Sequence, residues 1–424
     1  MTTLRSEFAL LHQQTFSLEH AAFGDLLAQT QNLLIVQDLD GVCMGLVKDP
    51  LNREIERAYV DAAIAYDGHF FVLTNGEHIG KRGVNGIIEK ALGEEVGSRH
   101  LPGLAAGGIQ WQDRYGQLTH PGVSETELTF LKSVPERIQI TLHNFLSTVD
   151  HGLSPDVLSR CIDASVLDNV ASPTANLNTF YETLQNPALY RQLQEQMKQL
   201  TETLLADASA QGLSDSFFVH YAPNLGRDDS GDEVIWWADA TTSGTTDFQF
   251  MLRGAIKEAG VLALLNHYYF ERTGTYPLGV GFNARQAPKD MADMLALVQQ
   301  DFDPAYMPLI VGVGDTVTSQ AVDTEAGLSF KRGGSDRNFL QLIQNIGQAF
   351  DSGNLVVYVD SSGGELKNRR AVQMEHHNGI PTVTQGPGDP RDTSDPLIIN
   401  VVFPGGHSQY CQVFQAGAIA RRQS

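Results

Sequence analysis

Apolar residues fall along this chain in two rhythms. Short apolar runs at 33–36, 70–73, 309–313, 355–359 and 397–403 are each followed by polar or glycine-rich residues. Short runs with that boundary predict strands buried on both faces, as in parallel sheets. Between many of them the spacing changes to that of a helix with one apolar face. In 52–66, Ile55, Tyr59, Ala63 and Ile64 share a face; in 257–269, Val261, Leu264, Leu265 and Tyr268 do; 337–350 is a third case. Strands alternating with helices predict an α/β fold: a Rossmann-like, mainly parallel sheet flanked by helices, with ligands at the carboxyl ends of the strands.

The middle of the chain reads differently. Few buried-strand runs occur between 112 and 245. Leu189, Leu193, Met197, Leu200 and Leu204 mark a long amphipathic helix. The stretches SFFVHYAP and EVIWWADA predict half-buried strands separated by the turn-like GRDDSGDE. This region is expected to be an α+β unit inserted into the α/β domain, giving core residues 1–111, insert 112–245 and core again 246–424. One of the adjacent Trp236 and Trp237 is expected in the core of the insert. The segments QAVDTEAGLSFKRGG and TVTQGPGDPRDTSD read as surface loops.

Composition narrows the partners. The 29 basic and 50 acidic residues leave a formal charge of −21. Nucleic acid and anionic membranes need a basic surface, so neither is an expected partner. No stretch approaches the length of a membrane span, and the N-terminal residues lack the apolar segment of a signal peptide. Cys43, Cys161 and Cys411 are odd in number and widely spaced, which argues against a disulfide framework or a cysteine metal site. The expectation is a soluble, cytoplasmic protein.

Four stretches carry candidate chemistry. In LLIVQDLDGV, Asp38 and Asp40 close a strand two residues apart. Such a pair can share a divalent cation with a phosphate, one acting as nucleophile and one moving protons; it can also be a solvated turn. In FFVLTNGE, Thr74, Asn75 and Gly76 follow a strand, where a hydroxyl and a backbone N–H hold a phosphate oxygen or cap a helix. Lys257 opens a helix, against the macrodipole, which suits either phosphate neutralisation or a solvated lysine. In LIVGVGD, Asp315 ends a strand as a candidate ligand for a hard cation, and Asp336 after it is a second ligand or an N-cap.

In this order the motifs resemble those of the haloacid dehalogenase superfamily of phosphatases. DLDGV resembles its first motif, VLTNGE its second, Lys257 its third and GVGD its fourth. The insert resembles the superfamily's C2-type cap. The chain departs from the pattern at Glu77, where sugar phosphatases usually have arginine after glycine, and at Ser319 and Gln320, where a second acid is usual; Asp336 is the substitute offered for it. More closely, LLIVQDLDGVCM, LDNVASPTANLNT, FFVHYAPNLGRD, SGTTDFQFMLRG and FKRGGSDRNFLQLI resemble the glucosylglycerol-phosphate phosphatases.

That resemblance implies an Mg²⁺-dependent hydrolase of 2-O-glucosylglycerol 3-phosphate, ending compatible-solute synthesis downstream of a glucosylglycerol-phosphate synthase. It implies Asp38 as nucleophile and Asp40 as acid and base. Thr74 and Lys257 hold the phosphoryl oxygens. The metal falls to Asp38, the Asp40 backbone carbonyl, Asp315 and Asp336. For the sugar, Asn75, Gly76, Glu77, His78, Lys81 and Arg82 follow the second motif, and Asn176, His220, Asn224 and Arg227 come from the insert; each also has a structural or solvated reading. Another sugar phosphate, such as sucrose- or trehalose-phosphate, or a non-catalytic sugar-phosphate-binding role, are the alternative functions.

Overall fold

The computed structural model describes residues 11–80, 82–227, 233–239, 242–324, 327–366, 369, 371–377, 380–387, 389 and 391–423. Its larger sheet has eight strands, in the order Val401–Phe403, Leu355–Val359, Leu309–Gly314, Leu33–Gln37, Phe70–Leu73, Gly103–Ala105, Gln110–Gln112, Leu118–Thr119. The first six are parallel, and the last two join through antiparallel pairings, Gly103–Ala105 with Gln110–Gln112 and Gln110–Gln112 with Leu118–Thr119. The α/β reading is borne out. Four of the five apolar runs form strands over nearly their full length, while the fifth pairs only at Val401–Phe403.

Alternation sends neighbouring residues of each strand to opposite faces. Leu33, Ile35, Val311, Val313, Leu355 and Val357 pack on one side with Phe23, Tyr59, Ile88 and Phe414, which come from helices His20–Gln29, Arg57–Ala63, Val84–Leu92 and Gly406–Gln423. Leu34, Val36, Phe71, Ile310 and Val356 pack on the other with Leu264, Val298 and Ile343 of helices Lys257–Thr273, Met291–Asp301 and Arg337–Phe350. Both faces are covered, so every residue of the Leu33–Gln37 strand is buried.

A second sheet has four strands, ordered Val166–Leu167, Thr174–Asn176, Asp247–Leu252, Phe217–Ala222, all antiparallel. Its apolar face lies against helices Glu125–Leu146 and Pro187–Ala210, through Phe217, Phe248, Phe250, Phe130, Leu193 and Met197. This α+β unit continues the apolar cluster on one face of the large sheet. The large sheet takes in Leu118–Thr119, and the strands of the small sheet lie between Val166 and Leu252. Trp237 is half-buried against the cluster, with Arg191 over its ring at 5.0 Å, whereas Trp236 is exposed.

Of the two segments expected as loops, QAVDTEAGLSFKRGG lies almost wholly in a hairpin, whereas TVTQGPGDPRDTSD enters one only at its first four residues, and its described residues after Gln385 form no strand. Thr318–Thr324 pairs with Gly327–Gly333, and Gln373–His377 pairs with Ile380–Gln385. Neither hairpin joins a larger sheet. Their strands mix polar and apolar residues without alternation, although Val383 is buried in the main apolar cluster. The GRDDSGDE turn falls mostly outside the described residues. All three cysteines are buried free thiols. Among the described residues, no helix is long and apolar enough to cross a membrane.

Candidate active site

Three neighbouring parallel strands end side by side. The register pairs Gln37 with Val313 and with Val72. The next residues along these strands are therefore Asp38, Gly314 with Asp315, and Leu73 with Thr74. Asp38 donates its backbone N–H to the Val313 carbonyl at 3.0 Å. Hydrogen bonding of the sheet thus carries the catalytic candidates to one edge.

The side chains there form a buried charge cluster. Lys257 Nζ lies 2.7 Å from Asp38 Oδ2 and 2.6 Å from Asp336 Oδ1. The second oxygen of Asp336 accepts the backbone N–H groups of Asp315 at 3.0 Å and Thr316 at 2.9 Å. Asp336 stands at the start of helix Arg337–Phe350 but makes no side-chain cap there. It ties the lysine to the loop that bears Asp315. The N-cap reading is corrected: the carboxylate turns inward because two amides and an ammonium outbid the helix end.

Ligand oxygens of Asp38, Asp315 and Asp336 lie within 4.8 Å of one another. Asp315 accepts from the Thr316 hydroxyl through Oδ1, while its Oδ2 is buried without a hydrogen-bond partner. Burial, opposed by Lys257 and reinforced by Asp336 and Asp315, pushes Asp38 up to about 8. Burial and Asp336 push Asp315 up to about 6, with Arg369 opposing. Lys257 goes the other way from a buried lysine: burial lowers it, and Asp336 and Asp38 more than compensate, holding it cationic. One ammonium does not suffice to keep three buried carboxylates ionised in a dry site. That shortfall of positive charge and the orphaned Asp315 oxygen fit a hard divalent cation. Gly41 makes room: it has φ +81°, and a Cβ there would sit 2.3 Å from Asp315 Oδ2.

A cleft of about 260 Å³ opens between residues of the two sheets; of the catalytic candidates Asp40 lines it, while Asp38, Thr74, Lys257, Asp315 and Asp336 do not. Asp40, Asn75 and Gly76 line it from the large sheet; Thr174, Asn176, Asp247 and Gln249 line it from the small one. Asp40 accepts from Arg53 Nη1 at 2.9 Å. Thr74 is buried, and its hydroxyl accepts the Gly76 N–H at 3.2 Å.

The expected sugar residues divide. Asn75, Gly76, Glu77, Arg82 and Asn176 reach the cleft. Glu77 does so with its carboxylate already engaged: it accepts from the N–H groups of Val170, Ala171 and Ser172 at 2.7–2.8 Å, the Ser172 hydroxyl at 3.1 Å and Gln110 Nε2 at 3.1 Å. It fastens the linker between two strands of the small sheet, Val166–Leu167 and Thr174–Asn176. Arg82 spends its guanidinium on the carbonyls of Val166 at 2.5 Å and Asp163 at 2.7 Å. His78 is wholly buried, burial lowers it to about 4, and it sits off the cleft as a neutral core residue. His220 and Asn224 also miss the cleft, because both bond Glu233, at 2.9 and 3.0 Å. Lys81 lies outside the described residues, as does the side chain of Arg227, whose backbone ends the strand paired with Glu233.

Arg53, Arg369, Asp247 and Gln249 were not read from the sequence. Arg369 donates to the Thr316 hydroxyl at 3.0 Å, beside Asp315. For the last two a signal existed: Asp247-Phe248-Gln249-Phe250 alternates with period two.

The sequence model describing glucosylglycerol-phosphate phosphatase matches residues 32–418. The chain belongs to the glucosylglycerol-phosphate phosphatase family. It is 62% identical over 418 residues to a glucosylglycerol-phosphate phosphatase of Synechocystis sp., covering 97% of this chain and 99% of that one. Among solved structures, it is similar to the C-terminal domain of a C. albicans trehalose-6-phosphate phosphatase, at 10% identity and TM-score 0.44 over 95% of this chain and 98% of the other. An Aspergillus fumigatus trehalose-6-phosphate phosphatase gives 12% identity and TM-score 0.35 over 83% and 91%.

Proposed function

We propose that this protein is a phosphoric monoester hydrolase that releases phosphate from 2-O-glucosylglycerol 3-phosphate. The observation that carries the chemistry is the buried Asp38–Lys257–Asp336 chain beside an orphaned Asp315 oxygen, in a member of this family.

Asp38 attacks phosphorus in line, forming an aspartyl phosphate as the glycerol oxygen departs. Asp40, two residues on and lining the cleft, gives that oxygen a proton and then takes one from the water that hydrolyses the acyl phosphate. Arg53 holds the Asp40 carboxylate in place. Thr74 and Lys257 bind phosphoryl oxygens; the ammonium offsets charge as it builds in the transition state. Asp38 and Asp315 would hold Mg²⁺ together with the Asp40 carbonyl, and Asp336, with both oxygens engaged, aligns Lys257 and the Asp315 loop. When bound, the ion supplies positive charge against the transferring phosphoryl group. The upstream supplier is a glucosylglycerol-phosphate synthase, and the negative net charge suits a soluble cytoplasmic enzyme.

Phosphate release from 2-O-glucosylglycerol 3-phosphate, sucrose 6-phosphate and trehalose 6-phosphate tests the reading. The first should be turned over with the highest kcat/KM, and only with Mg²⁺ present. A higher value for either disaccharide phosphate would replace the substrate; no release from any ester would sink the activity.

A further inference from the structure

The small sheet has two unlike faces. Directly paired residues of antiparallel strands point the same way. Thr174 pairs with Gln249, which pairs with His220; Asn176 pairs with Asp247, which pairs with Ala222. These two rungs share one face. The rung between them, Ala175, Phe248 and Tyr221, points into the apolar cluster. The polar face is turned to the cleft, since Thr174, Asn176, Asp247 and Gln249 all line it opposite Asp40 and Gly76.

Asp247 is the carboxylate that the small sheet brings to this cleft. It accepts from Asn176 Nδ2 at 2.7 Å and from the Thr246 hydroxyl at 2.7 Å. An ionised carboxylate has about four acceptor positions, so the protein fills about half of them. Burying a carboxylate is costly unless donors reach it. A ligand that fits must therefore bring donors. Two adjacent hydroxyls match the spacing of two carboxylate oxygens, and the Gln249 amide offers both a donor and an acceptor to a third. A second phosphate is excluded from this end by like-charge repulsion. A neutral polyol satisfies every condition.

We propose that Asp247, with Gln249 beside it, is the subsite that holds the glycosyl hydroxyls and sets the preference for glycosylated over plain glycerol phosphate. The inference rests on the phosphatase reading above. The two strands deliver these residues together because the apolar Phe248 between them locks the register: a one-residue slip would bury Asp247 and expose Phe248.

The test compares kcat/KM for 2-O-glucosylglycerol 3-phosphate with that for glycerol 3-phosphate, which keeps the phosphate and loses the sugar. In Asp247→Asn the ratio should fall about 100-fold relative to wild type, chiefly through KM for the glycosylated ester, the loss expected for hydrogen bonds to a charged acceptor. Gln249→Ala, which leaves Asp247 and its partners in place, should lower the same ratio about tenfold. Both ratios unchanged, or equal losses on the two esters, would overturn the subsite while leaving the phosphatase intact. No release from either ester by the wild-type protein would overturn the phosphatase reading itself.

Discussion

At the scale of single residues, Lys257 decides most. It is buried, bridges two buried carboxylates and lies 5.5 Å from the Phe339 ring centre. Lys257→Met should cost about 3–5 kcal/mol, because it strands Asp38 and Asp336 without their cation; urea unfolding checks this. Lys257→Met with Asp336→Asn together should recover part of that loss while turnover stays absent, which separates stability from chemistry. Asp38→Asn should abolish turnover, and no acid-stable phosphate should be trapped on the variant protein. Near-normal kcat would refute Asp38 as the nucleophile. Gly41 is a quieter requirement: with φ +81° and Asp315 Oδ2 where a Cβ would go, Gly41→Ala should shift Asp315 and reduce kcat at least tenfold.

At the scale of elements, the two sheets are joined by engaged carboxylates. Glu77 gathers the linker at 170–172, so Glu77→Ala orphans three backbone N–H groups and should cost about 3 kcal/mol. Limited proteolysis should then cut first near that linker. Glu127 does a similar task for helix Glu125–Leu146. Within a capping box with Ser124 it also pairs with Arg285, at 2.8 Å. Burial pushes this carboxyl up, but the Arg285 bond and the Ser124 N–H outweigh it, lowering it to about 2. A depressed carboxylate stabilises the fold above its unfolded value, near 4.5, and that contribution is lost as pH falls through about 2. The stability gap between wild type and Glu127→Gln should thus be full at pH 6 and narrow steadily below about pH 4.5, as followed by thermal melting across pH.

At the scale of the whole molecule, the cleft is lined by residues that follow the parallel strands and by residues of the small sheet, so the proposed chemistry and the proposed sugar contacts come from different parts of the chain. Chelation should lower Tm and adding Mg²⁺ should raise it, since a cation bound only by the folded state stabilises it by mass action. Asp315→Asn should blunt that Mg²⁺ response even where no substrate is present; an undiminished shift would place the cation elsewhere.

The sequence by itself determined the parallel core, because strands buried on both faces must be written in short apolar runs. It also placed Asp38, Thr74, Lys257 and Asp315 on the ends of those elements, since each lies within two residues of the end of a run or opens a helix. It left open the fate of Asp336, whose carboxylate could cap its helix or turn inward; only the approach of Lys257 and the amides of residues 315 and 316 decides that. Glu77 and His78 follow the second motif just as Asn75 and Gly76 do, yet a linker over ninety residues away claims Glu77 and the sheet buries His78. The hairpins, whose strands mix polar and apolar residues, left no periodic trace. Asp247 and Gln249 did leave one, but period two states only that a strand has two faces. Which face meets a cleft depends on what packs behind the other, and that is a property of the folded molecule alone.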